Sequence, residues 1–576
     1  MIKLIKSHFP FKLSLTFAIS LVTLLLAAGL RTHHYWQVPL TDETADELAW
    51  TWLGASLIKY QQPISWSYYD QYHSDHIFQK GVLDAPLVSP ALDHPPLFSF
   101  IPGLTQVLRT DDILSIPSRR VIRLPLIFLG VLNVGLLMLL TRRLVSAPVS
   151  LLAGLIYATA PIYVFSSRLV VAENLIITWA LLLVLVLDHW FKARVRKKFL
   201  SWIIVALSAA AVLTKISGIV LPLTVIGWGL ILRFYNSASK RSGQSLSPPQ
   251  ERDGKPRKLG KLGKQVSGMS REQMINQFES GTSLIRLGLI GLAAGLAILF
   301  GYAAWFNFPL FWSIQTAQAG RNLGLTTFYQ RFLIHPTVAQ LVFFDGWLLL
   351  GLLGFFYQLA TNSIFNLDLS TIGKLSGTKK ISSTNSGLAQ NSFANLFLTF
   401  CLILTSLSLV FILLTSGEFT YHGWYSYSLF PFFALFTALL FMKIWQSQTL
   451  LAGLVWILLL PNLKNLLWFV SNDPSQTNTA VRILTLLGLT PLLAQFFFNC
   501  SVVRVNQTQQ ACQPGQASKL NQQNSSQAIS DTLQVRQLAL LLLAVLVLII
   551  NLAVVLTAGE LSLRAINNAF YFNLGQ

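Results

Sequence analysis

Two adjacent carboxylates, Asp42 and Glu43, follow closely on a long apolar run, within Thr41-Asp42-Glu43-Thr44-Ala45-Asp46-Glu47. A carboxylate in such a place is suited to take the proton of an acceptor hydroxyl. The same stretch also reads as the start of a helix: Thr44-x-x-Glu47 fits a capping box, and acidic residues suit a helix N-terminus. Further on, Asp93-His94-Pro95-Pro96-Leu97 places a carboxylate and an imidazole before two prolines that fix the backbone. A solvated turn is the plainer alternative. Arg168 and Glu173 stand at the entrance of one apolar run and Lys215 at the end of another. Lys and Arg at helix ends commonly snorkel. A carboxylate inside an apolar run, however, needs a partner, and Arg168 and Lys215 are the candidates for Glu173.

These residues must be positioned by helices that cross a membrane. The chain has 576 residues, 53% of them hydrophobic and 11% charged, with a mean hydropathy of +0.56. Soluble domains carry roughly 25% charged residues, which excludes an ordinary cytosolic enzyme. Apolar runs long enough to cross a hydrocarbon core recur at 12–30, 121–141, 149–167, 169–190, 199–214, 216–232, 284–305, 338–357, 393–415, 426–442, 449–469, 481–499 and 537–557. The expected class is an all-α polytopic membrane protein of about thirteen transmembrane helices. The first run lacks a clear cleavage pattern and is expected to stay as an anchor. The net charge of +20 follows from Lys and Arg gathered in alternate loops, which points to the cytoplasmic side rather than to nucleic acid. The expected topology has a cytoplasmic N-terminus and a C-terminus outside. Three cysteines, Cys401, Cys500 and Cys512, give no disulfide framework.

The chain reads as a single membrane-embedded domain, 1–576, with a long first outer loop at 31–120. In that loop Leu48, Trp52 and Ala55 have the spacing of a helix along the membrane surface, and Trp50, Trp66, Tyr68 and Tyr69 suit the interfacial belt. A second short helix is expected over Leu97–Leu108. Residues 236–282, 362–392 and 504–534, poor in apolar residues, are expected to be flexible cytoplasmic loops.

The order and spacing of these groups resemble the GT-C membrane glycosyltransferases that use polyprenyl-phosphate sugars, including protein O-mannosyltransferases, aminoarabinose transferases of lipid A and Rgt-type lipopolysaccharide-core transferases. Asp42-Glu43, Asp93-His94-Pro95-Pro96-Leu97, Arg123-Leu124-Pro125, Ala172-Glu173-Asn174 and Leu213-Thr214-Lys215 carry the resemblance, which covers roughly the first 230 residues well. Phe306-Asn307-Phe308-Pro309-Leu310-Phe311-Trp312 and Trp424-Tyr425-Ser426-Tyr427 are looser landmarks. The sequence departs from the pattern at Glu173, where many relatives carry Asp, and at Trp424-Tyr425, where an Arg-Tyr pair is common.

The resemblance implies an enzyme, a hexosyl or pentosyl transferase, with Asp42 as general base and Glu43 beside it. Asp93, His94, Arg123, Arg168, Glu173, Lys215 and Tyr425 are then the candidates for holding donor phosphate and substrate. A sugar on a lipid phosphate already has a good leaving group, so the site has to deprotonate an acceptor and offset charge on the phosphate. The implied partners are a polyprenyl-phosphate sugar, a lipid, glycan or protein acceptor, and membrane lipid, with no nucleic acid. No cofactor is certain. A divalent metal fits the Asp, Glu and His residues, although no dense ligand spacing is present. A transporter or flippase is the competing class, but its sites tend to lie at the midplane on broken helices, whereas here the midplane is apolar. A sensor or assembly scaffold is the third class, and it leaves the carboxylate-bearing loop without a purpose.

Overall fold

The structure, a computed structural model, describes residues 15–39, 46–67, 69–72, 77–80, 83–192, 197–244, 271–319, 334–335, 343–344, 346–361, 385–415, 423–446, 479, 541 and 544–557. Its helices are α1 (Leu15–Thr32), α2 (Asp46–Tyr60), α3 (Phe100–Arg109), α4 (Arg119–Ile122), α5 (Leu124–Leu144), α6 (Ala147–Thr159), α7 (Pro161–Ser166), α8 (Glu173–Lys192) and α9 (Lys197–Thr214). After a 3-10 turn at Ile216–Ile219 come α10 (Val220–Gln244), α11 (Arg271–Phe306), α12 (Phe308–Ala319), α13 (Gly346–Thr361) and α14 (Asn385–Thr415). A second 3-10 turn, Gly423–Leu429, leads into α15 (Phe430–Gln446), and α16 covers Ala544–Thr557.

Eight stretches among the described residues are long and apolar enough to cross a membrane: Leu15–Thr32, Arg119–Leu144, Glu173–Lys192, Lys197–Thr214, Ile216–Phe234, Gly281–Phe306, Phe397–Leu414 and Tyr425–Trp445. The chain is an all-α polytopic membrane protein. α6, α13 and α16 are shorter apolar helices. The run at 149–167 is not one span but α6 and α7, broken at Ala160-Pro161. Proline has no N–H to continue the ladder and drives the residue before it toward extended backbone, and Ala160 has φ −61° and ψ 126°. The expected spans 449–469 and 481–499 lie outside the described residues, as does 504–534. Helix reaches Gln244 and resumes at Arg271 and Asn385, inside the ranges read as loops from composition; 245–270 and 362–384 lie outside the described residues.

The described residues of 31–120 are folded against the spans. Residues Glu47 to Ser56 of α2 are all buried by protein, well beyond the single stripe of Leu48, Trp52 and Ala55. It is covered by α3, and the two helices touch backbone to backbone. An added Cβ on Gly54 would lie 1.8 Å from the Ser99 carbonyl oxygen, and one on Gly103 would lie 2.3 Å from the Gly54 carbonyl carbon. Trp50 is not at a lipid interface: it is 1% exposed and packs on His94 and Phe98. α3 begins three residues later than expected, because Pro96 to Ser99 form a turn closed by Ser99 Oγ donating to the Pro96 carbonyl. Between α2 and α3, three short strands, β1 (Ser65–Trp66), β2 (Ile77–Lys80) and β3 (Leu83–Val88), pair antiparallel in the order β1-β3-β2, with Trp66 opposite Leu87.

Candidate functional site

The start of α8 is fixed by amides. Asn174 Nδ2 donates to the Ser166 and Leu169 carbonyls at 3.0 and 2.9 Å, tying down the irregular turn after α7. Asn133 of α5 donates to the Asn174 carbonyl and accepts from Thr178 Oγ1. Glu173 is thereby held, 2% exposed, at the first turn of α8. Lys215 comes from the sharp turn between α9 and α10, where Gly218 is required because an added Cβ would sit 1.9 Å from the Ala211 carbonyl oxygen. The Leu97 N–H donates to the Leu213 carbonyl and brings the Asp93–Leu97 segment alongside. Lys215 Nζ lies 2.5 Å from Glu173 Oε1 and 4.8 Å from the centre of the Tyr425 ring. The partner expected for Glu173 is therefore Lys215 and not Arg168.

Around this ion pair opens a cavity of about 330 Å³. It brings together five of the expected site residues, Asp93, His94, Glu173, Lys215 and Tyr425, with Asp46 as a further carboxylate. Trp66 and Tyr69 form aromatic wall, Gln315 and Gln318 amide wall, and Phe411 and Ile412 apolar wall. Asp93 accepts from Ser67 Oγ at 2.7 Å and Tyr72 Oη at 2.5 Å. Burial raises its pKa to about 6, against these two hydrogen bonds, which lower it. The phenol of Tyr72 is in turn raised by burial and by the Asp93 charge. His94 stacks on Trp50 with ring centres 4.4 Å apart.

Arg123 and Arg168 do not line this cavity, contrary to expectation, because both guanidinium groups are turned to holding the chain. Arg123, fully buried, makes two bonds to Glu47, at 2.9 and 2.7 Å, and two more to the Tyr35 and Pro39 carbonyls. Arg168 donates to the Leu30 and Val38 carbonyls, and Arg31 to those of Tyr157 and Ala158. The three arginines clamp the chain between α1 and α2 from both ends. Asp42 and Glu43 lie outside the described residues; the described ends that flank them are Pro39, bonded to Arg123, and Asp46, which lines the cavity. Glu47 gives its oxygens to Arg123 and to the Val170 N–H, not to the capping role its spacing suggested.

At the other end of α8, Asp188 pairs with Arg143 at 3.4 Å and Lys192 at 2.5 Å. The polar cavity and this basic end thus cap opposite ends of the same helix. Among the described residues no group of three or more His, Cys, Asp and Glu is placed to hold a metal ion. Sequence reasoning did not select Asp46, Trp66, Tyr69, Gln315 or Gln318. The signal for the glutamines was present, since Phe311, Ile314, Gln315 and Gln318 share one helical face.

Fold and cavity define a polytopic helical membrane protein with an acidic, aromatic-walled site at one end of its spans. A family model described as dolichyl-phosphate-mannose-protein mannosyltransferase matches residues 93–245, which include Asp93, His94, Glu173 and Lys215. The matched stretch largely overlaps the one whose motifs resemble the GT-C type membrane glycosyltransferases. Among solved structures, the archaeal oligosaccharyltransferase AglB from Archaeoglobus fulgidus, in complex with an inhibitory peptide and a dolichol-phosphate, is similar with a TM-score of 0.42 and 12% identity, over 76% of this chain and 51% of that one. The A. fulgidus oligosaccharyltransferase tethered to an acceptor peptide is similar with a TM-score of 0.40 and 12% identity, over 84% and 55%. The chain spans about half the length of these structures. No curated protein matches it.

Proposed function

We propose that the protein moves a sugar from a polyprenyl-phosphate donor to an acceptor hydroxyl on the outer face of the cytoplasmic membrane, with Asp42 as general base. The observation that carries this reading is the convergence of Lys215, Glu173, Asp46, Asp93 and His94 on one cavity that also has an apolar wall at Phe411 and Ile412. A lipid-phosphate sugar has matching parts: an anion for Lys215, hydroxyls for polar side chains and an isoprenoid for the apolar wall. Lys215 offsets charge on the leaving phosphate, and Glu173 holds the ammonium in place. Asp42 stands in the sequence four residues before Asp46, a cavity-lining residue, and three after Pro39, whose carbonyl Arg123 holds. It takes the acceptor proton as the hydroxyl oxygen attacks the anomeric carbon and the bond from that carbon to the phosphate oxygen breaks.

The test is to incubate the purified protein in lipid discs with a labelled polyprenyl-phosphate sugar and a crude envelope extract. Label in a new product together with free polyprenyl phosphate is the expected result. In a parallel assay with the protein in sealed vesicles, intact donor carried across the bilayer with no bond broken would instead indicate a transporter.

A further inference from the structure

α12 follows α11 after a single residue, Asn307, whose Oδ1 accepts the Leu310 N–H at 3.0 Å and starts the new helix. Its inward face is Phe311, Ile314, Gln315 and Gln318, spaced as one stripe of an α-helix. The first half of that stripe is ordinary core: Phe311 and Ile314 are 3% and 0% exposed and pack with Leu92, Leu299 and Ala303. The second half carries amides where continued packing would call for apolar side chains. Both amides line the cavity, and both donate to one acceptor, the Asp93 carbonyl, at 3.5 and 3.3 Å. Each Gln has two donor hydrogens and a carbonyl with two lone pairs. One long bond apiece leaves most of that capacity directed at the cavity. Facing a cavity that also holds the rings of Trp66 and Tyr69, the pair suits a ligand with neighbouring hydroxyls and an apolar ring face.

We propose that Gln315 and Gln318, with Trp66 and Tyr69, select the transferred sugar by its hydroxyl pattern. The proposal rests on the donor reading above and assigns one part of that donor to one part of the cavity. The phosphate goes to Lys215, the only cavity-lining Lys or Arg among the described residues, and is kept from the amide end by the carboxylates Asp46 and Asp93. Neutral amides serve the sugar because they donate and accept without adding charge beside the phosphate.

The test uses full-length wild type, Gln315→Leu, Gln318→Leu and the double variant in lipid discs. Each is titrated with polyprenyl-phosphate monosaccharides that differ at single hydroxyls and with polyprenyl phosphate alone, following tryptophan fluorescence. Wild type is expected to prefer one epimer, and each variant to lose about tenfold of that preference, the worth of one good hydrogen bond. Affinity for sugar-free polyprenyl phosphate should be unchanged. Gln315→Met and Gln318→Met, close in size and uncharged, replace the leucine variants if those fold poorly, and they should lose the preference too. Retained epimer preference, or an equal loss of affinity for sugar-free polyprenyl phosphate, overturns the role of the two glutamines. Wild type with no affinity for any polyprenyl phosphate overturns the donor reading as well.

Discussion

Glu47 and Arg123 form a doubly hydrogen-bonded ion pair with both side chains wholly buried, and the Val170 N–H adds a third bond to the same carboxylate. Glu47 follows Asp46 in the chain, and Arg123 also holds the Pro39 carbonyl. Removing one partner leaves an uncompensated charge in the interior, which typically costs about 3–5 kcal/mol. Arg123→Ala and Glu47→Ala are each expected to lower the unfolding midpoint in detergent sharply. Arg123→Lys should not restore it, because an ammonium cannot reproduce the bidentate fork. A midpoint within a degree or two of wild type for either alanine variant would contradict this role for the pair.

Asp93 should make stability depend on pH. Its folded pKa, about 6, lies above the ordinary 3.8. Between those values the folded state binds more protons than the unfolded one, so stability falls as pH rises from about 4 through about 6 and levels off above. The shift corresponds to a loss on the order of 3 kcal/mol. Asp93→Asn, which stays neutral, should flatten that slope in thermal melts taken from pH 4 to 7. A slope unchanged by the substitution would place the titrating group elsewhere.

The spans were legible because a continuous apolar run of about 20 residues seldom arises except where a helix crosses a bilayer. The joining of Lys215 to Glu173 was legible in part, since a carboxylate at the entrance of an apolar run demands a cation, although spacing left Arg168 as an equal choice. What could not be read was the destination of Arg123 and Arg168. Their partners are mostly carbonyls, at Tyr35, Pro39, Leu30 and Val38, and a carbonyl carries no sequence signal. Glu47 shows the same limit: local spacing offered a cap, and a residue 76 positions away took both oxygens. Trp50 looked interfacial by type, but the rings it packs on, His94 and Phe98, come from a different segment.

The cavity end of α8 is expected to face outward, and the Asp188 end to face the cytoplasm. Single cysteines beside Asp93 and within residues 236–282 can be probed with an impermeant maleimide in intact cells. The first should label and the second only after permeabilisation. The reverse pattern would turn the protein over and remove an outer-face acceptor from consideration.

Lys215 and Glu173 should differ in kinetics although they form one pair. Lys215→Ala removes the cation at the donor phosphate, and losing a group that stabilises developing charge costs about 10²–10³ in kcat, with a higher KM for the donor. Glu173→Gln leaves the ammonium but frees it to wander, so its loss should be smaller and steeper in salt. Initial rates at varied donor concentration separate the two. Equal losses would mean that Glu173 itself meets the substrate.

Asp42→Asn should abolish transfer and leave the fold intact. The swap keeps the shape of the side chain and removes its basicity, and the loss of a general base costs about 10²–10⁴ in rate. If Asp42 served only as helix-end charge ahead of α2, the swap would cost about 0.3–1 kcal/mol of stability and nothing specific to turnover. Of the three cavity carboxylates that could otherwise stand in for it, two have a competing demand: Glu173 is paired with Lys215, and Asp93 is held by Ser67 and Tyr72, which leaves Asp46. Purified Asp42→Asn and Glu43→Gln would be compared with wild type on a polyprenyl-phosphate sugar, with thermal melts run alongside. Near-normal turnover by Asp42→Asn with loss in Glu43→Gln would move the base one residue along. Near-normal turnover by both would hand the role to Asp46, the next carboxylate along the same segment and one that lines the cavity.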